Sequence, residues 1–161
     1  MNAAIARAYG ALWVATATGA VLALAGMPIV QAGRPHDALT ASATTAASLL
    51  AHNLPVALWP LALAALGWTR LAMTRKTGDV LSSGQLLLHG LMVGNALGQQ
   101  PALWRYLPHL PFEWLGIAIP LAGWQLARNG QDEMRQTAYL TVVTVAAMLI
   151  AACVETWAVP L

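Results

Sequence analysis

His109, Glu113 and Glu155 are the residues of this chain whose types and placement invite chemistry. Two carboxylates in a pocket of low dielectric can share a proton, one acting as acid and the other as base. An imidazole beside them adds a second proton carrier, and an intramembrane peptidase or peptide cyclase would use such a set. Glu113 stands at the mouth of residues 106–128, YLPHLPFEWLGIAIPLAGWQLAR, a stretch long and apolar enough to enter a bilayer. An ionisable group in hydrocarbon costs roughly 2.5–3.5 kcal/mol on translocon scales, so its presence there needs a reason. Pro108 and Pro111 break an incoming helix and place Glu113 in the first turn of the next, where the helix dipole favours a carboxylate. With two prolines around them, His109 and Glu113 are not expected on one helical face.

The elements that must hold these groups follow from composition. Of 161 residues, 58% are hydrophobic and only 9% charged, where a soluble domain carries about a quarter. This is an integral membrane protein built as a single domain over residues 1–161. Eight Lys and Arg against six Asp and Glu is too slight an excess for a nucleic-acid surface, and no nucleic-acid partner is expected. The single cysteine, Cys153, excludes an intramolecular disulfide and a cysteine-based metal site.

Apolar segments at 11–32, 48–73, 84–103, 112–127 and 137–159 predict an all-α polytopic bundle of five transmembrane helices. The first resembles a signal peptide but exceeds the roughly 7–15 apolar residues usual there, so it reads as a membrane helix. Residues 33–45 form a polar loop in which His36 is solvated. Pro55 and Pro60 interrupt the second segment, and the backbone groups they free need partners from neighbouring helices. Residues 69–83, with Arg70, Arg75, Lys76 and Asp79, read as the most basic loop, suited to anionic lipid or a cytoplasmic partner. Gly90, Gly94 and Gly98 at spacing four give the third helix a smooth face for close approach and predict it at the centre of the bundle. A homodimer through that face is one use of it; His89 and Asn95 flank it.

An N-terminus in the cytoplasm puts Arg7, Arg70, Arg75, Lys76, Arg128 and Arg135 inside and leaves Arg34 and Arg105 outside, satisfying the positive-inside rule. The C-terminus is then outside. His52 and Asn53 of the second helix converge with His109, Glu113 and Glu155 at the outer leaflet, with His89 a deeper sixth. His52, His109, Glu113 and Glu155 include ligand types for zinc or iron, but no H-E-x-x-H or similar spacing assigns a metal. The cluster has two other readings: hydrogen bonds that specify packing, and a translocation path for a small solute or peptide. Ser42, Ser48, Ser82 and Ser83 lack a G-x-S-x-G setting, and no glycine loop for phosphate is present. The reading therefore carries no cofactor, and any ATPase is a separate chain. Trp104, Trp114 and Trp157 toward one interface and Trp68 and Trp124 toward the other read as aromatic belts.

Four stretches, His52-Asn53-Leu54-Pro55-Val56-Ala57, His89-Gly90-Leu91-Met92-Val93-Gly94, Pro108-His109-Leu110-Pro111-Phe112-Glu113 and Ala151-Ala152-Cys153-Val154-Glu155, stand in this order from residue 48 onward. The ordered set resembles the stage II sporulation protein M family of integral membrane proteins. That pattern has an Asn-rich helix entry, an Asn-Gly with a glycine four residues on, a Pro-His-Gly-x-x-Glu stretch and a final Glu. His89 replaces the Asn, and Leu110-Pro111 replaces the Gly and its successor. The resemblance implies a bacterial cytoplasmic-membrane subunit, working with other membrane subunits or a separate ATPase in envelope remodelling or in peptide maturation and export.

Overall fold

The computed structural model describes residues 1–31, 41–131 and 134–157, the side chains of 105 and 106 excepted. Within them run five α-helices, α1 (Asn2–Leu24), α2 (Ala43–Ala65), α3 (Ala72–Gln99), α4 (Leu110–Arg128) and α5 (Met134–Trp157), with a 3-10 helix at Pro101–His109 leading into α4. Four of them, α1, α2, α3 and α5, are long and apolar enough to cross a membrane. Arg34, His36, the side chain of Arg105 and residues 158–159 of the fifth predicted segment lie outside the described residues.

Helix ends are set by local chemistry more than by apolarity. α1 stops at Leu24 rather than near 32 because Gly26 takes φ +78°, which lets the Met27 N–H return to the Leu22 carbonyl at 2.9 Å. α2 stops short of 73 in the same way, with Gly67 at φ +79° and Trp68 N–H donating to the Leu63 carbonyl at 3.0 Å. That conformation costs a residue with a Cβ roughly 1–2 kcal/mol, so glycine ends the helix. α2 begins at Ala43 because the Ser42 hydroxyl accepts the Thr45 N–H at 3.1 Å.

The basic segment 69–83 is mostly not a loop, contrary to expectation. From Ala72 it is the first part of α3, whose Met, Arg, Lys, Leu and Gln residues favour helix and which contains no proline. Polarity there marks solvent, not a break. Its 28 residues extend about 42 Å at 1.5 Å per residue, more than the roughly 30 Å of hydrocarbon, so one polar end overhangs.

The glycine face belongs to the contact between α3 and α1. A Cβ at Gly90 would lie 2.8 Å from the Leu12 carbonyl oxygen, one at Gly94 would run into the Thr16 carbonyl, and one at Gly98 would lie 2.5 Å from the Ala20 carbonyl oxygen. Gly19 answers from α1, against the Leu91 carbonyl. Each step of four on α3 is matched by a step of four on α1, so the two helices run parallel with their backbones in contact. The face that was a candidate for a homodimer is filled by this chain's own α1. Asn95 extends the seam: its Oδ1 accepts the Ile29 N–H and its Nδ2 donates to the Val30 carbonyl, both at 2.8 Å, tying the chain beyond α1 to α3.

The centre is α4 and not α3. Twelve of the 19 residues of α4 are buried, against eight of 28 in α3. α4 packs on α1, α2 and α5, with Gly116 against Met148 and Gly123 between Leu61 and Leu140. Trp114 and Trp124 are buried in this core rather than set in interfacial belts, whereas Trp104 and Trp157 are more than half exposed.

These contacts fix directions. α4 and α5 are antiparallel, because 116 meets 148 and 123 meets 140; α2 and α4 are parallel, with Leu61 near Gly123 and Ala64 grouped with Trp124 and Ala127. α1, α3 and α5 therefore point one way and α2 and α4 the other. Arg7, Arg70, Arg75, Lys76, Arg128 and Arg135 all fall at one end, the basic end.

One buried bond shows how a proline is accommodated. Pro60 has no N–H to give the Val56 carbonyl four residues back, and Gln85 Nε2 of α3 donates to that oxygen instead, at 2.7 Å. Gln85→Leu keeps the bulk and removes the donor. It should lower stability by about 1–3 kcal/mol, read as a fall in the thermal midpoint of the detergent-solubilised protein.

Candidate functional site

Glu113 occupies the first turn of α4, as the prolines predict, and His109 is the residue before that helix. His109 Nε2 lies 3.7 Å from Glu113 Oε2, with both side chains about four-fifths buried or more (15% and 21% exposed). The expectation that prolines keep them off one face is corrected here. Pro111 falls in the first turn, where no N–H needs an intrahelical acceptor, so α4 winds through it unbroken and residues four apart align.

The antiparallel run of α5 brings its last turn beside the first turn of α4. Glu155, in that last turn, is half-buried. Two carboxylates on neighbouring turns, one of them beside an imidazole, form an arrangement able to take up and release a proton. Cys153 is also half-buried and free.

His52 is exposed on α2, and among the described residues no hydrogen bond links Asn53 to the trio. His89 places its Nδ1 3.0 Å from the Gln85 carbonyl oxygen within its own helix. The three groups described come from α4, its entry and α5. His52, His109, Glu113 and Glu155 do not assemble as ligands: among the described residues no group of three His, Cys, Asp or Glu side chains is placed to hold a metal ion.

A second polar group, at the basic end, escaped the sequence reading. Asp79 of α3 accepts the Trp124 Nε1–H at 3.0 Å and pairs with Arg128 Nε at 3.3 Å. Gly78 makes room for it, since a Cβ there would run into the Trp124 ring. The ion pair is partly exposed and by itself worth little. Its signal in the sequence was the i, i+3 spacing of Asp79, Ser82 and Gln85, which means a face only once 69–83 is known to be helical.

These elements define an all-helical bundle with membrane-spanning character and two carboxylates, Glu113 and Glu155, toward one end. No known protein family, curated protein or solved structure matches the chain.

Proposed function

We propose that the chain is the membrane subunit of a multiprotein complex in envelope remodelling or in peptide maturation and export. It sits in a bacterial cytoplasmic membrane with five crossings, N-terminus inside and C-terminus outside. α4 makes its crossing wrapped by α1, α2 and α5. The observation that carries the reading is the division of one bundle into a basic end, with six cations and the overhang of α3, and an opposite end with Glu113, His109 and Glu155. The first suits an anionic membrane surface and a cytoplasmic partner such as a separate ATPase; the second suits a partner or peptide on the outer side. The ordered motifs shared with the stage II sporulation protein M pattern favour the same role.

Arg75→Glu with Lys76→Glu should release the cytoplasmic partner from a complex isolated in mild detergent, while the bundle stays folded. Purified chain that alone cleaved or cyclised peptides would overturn this reading.

That outcome would instead support a second one, which the closeness of Glu113, Glu155 and His109 favours: acid/base catalysis on a peptide within the membrane. There, Glu113→Gln should cut turnover by about 100-fold to 10,000-fold, the usual worth of a positioned acid or base. Turnover unchanged in Glu113→Gln and Glu155→Gln would exclude it.

A further inference from the structure

The basic end of the bundle contains a cavity of about 110 Å³, walled by Asp79, Ser82, Ser83, Trp124, Gln125 and Arg128. Ser82 is nine-tenths buried, and its hydroxyl has no hydrogen-bond partner among the described residues. One turn further along α3, the buried Oε1 of Gln85 is likewise unpartnered, its amide nitrogen being committed to Val56. Buried polar atoms are nearly always hydrogen-bonded, so the Ser82 hydroxyl on the wall of this cavity calls for a guest that can bond it.

The charges of the walls select that guest. A cation drawn to Asp79 meets Arg128, and an anion drawn to Arg128 meets Asp79, because the two already form an ion pair at 3.3 Å. What remains is a neutral donor and acceptor small enough for the space. At roughly 30 Å³ each, about four waters fill it.

We infer that this cavity is a water-filled vestibule that carries solvent from the basic end, past the Asp79–Arg128 pair, to the hydroxyl of Ser82. From Asp79 to Leu86, both on its wall, is about 10 Å along the axis of α3, so the space reaches well inside the bundle. Trp124, held between Gly78 and Asp79, forms a fixed wall. The vestibule gives the protein a hydrated, hydrogen-bonding recess at the end opposite Glu113, independent of the function proposed above.

Thiol chemistry tests this directly. A cysteine reacts as its thiolate, which forms in water and is suppressed in apolar surroundings. In a Cys153→Ala background, which removes the native thiol, Ser82→Cys is compared with Ala118→Cys, equally buried but in the apolar core away from the cavity. The protein is held in lipid nanodiscs, where both faces meet a charged methanethiosulfonate reagent, so the result does not depend on which way the chain inserts. Ser82→Cys should react about tenfold faster or more than Ala118→Cys, the thiolate fraction following its local water. Equal or slower reaction, with both thiols titrating fully after denaturation, would overturn the vestibule. Ala8→Cys, buried and on the wall of the same cavity, provides the same comparison should Ser82→Cys fail to fold.

Discussion

Gly94→Ile should collapse the bundle, with a loss of about 3 kcal/mol or more and no folded species at moderate temperature in detergent. Even the first added carbon would lie in the Thr16 carbonyl and within 2.9 Å of the Ala20 nitrogen, and backbone, unlike a flexible side chain, cannot swing aside. α1 would have to leave α3, exposing the backbones that now pack together and straining the bonds of Asn95 to Ile29 and Val30. Gly84→Ala is the matching control: nothing lies within 4 Å of the new Cβ, and the better helix former should leave stability unchanged or raise it by up to about 1 kcal/mol. Thermal unfolding followed by circular dichroism separates the two. Loss of an oligomer with the monomer still fully stable would instead place the glycine face between copies.

Trp114→Ala should cost about 3–5 kcal/mol, the range for removing a large aromatic side chain from a packed core. Trp114 is wholly buried among Leu12, Leu110, Ile117 and Met148, where α1, α4 and α5 meet. Its neighbours belong to three helices and cannot all close on the space it leaves. Trp104→Ala, at a site 56% exposed, should change stability little. Equal effects of the two substitutions would return Trp114 to an interfacial belt. The same variant bears on the site, because Trp114 adjoins Glu113 in the first turns of α4: repacking there should also disturb the approach of Glu155 and change any activity that depends on the carboxylate pair.

The candidate site was legible in part, for reasons visible in particular residues. Glu113 announced itself because a carboxylate at the start of an apolar stretch behind two prolines has few structural settings, and the first turn of a helix is one. Its partnership with His109 was hidden by those same prolines, since a proline that ends one helix can also begin the next. Asp79, Arg128 and Trp124 were hidden because a charged segment reads as a loop, whereas α3 simply runs out of the membrane.

By itself the sequence determined the class of protein: a helical chain too apolar for water, with six of its eight Lys and Arg in alternate connections and Glu113 and Glu155 at the opposite helix ends. Only the tertiary structure decided which helix is central, that Gly90, Gly94 and Gly98 receive α1, that His52 stays outside the site, and that Trp114 and Trp104 have different surroundings. The reason is physical. Lipid tails and neighbouring helices are equally apolar, so a side chain's hydrophobicity records that it avoids water without recording which of the two it meets; that distinction rests on shape, where a carbonyl fits against a glycine and a carboxylate finds its partner from another helix.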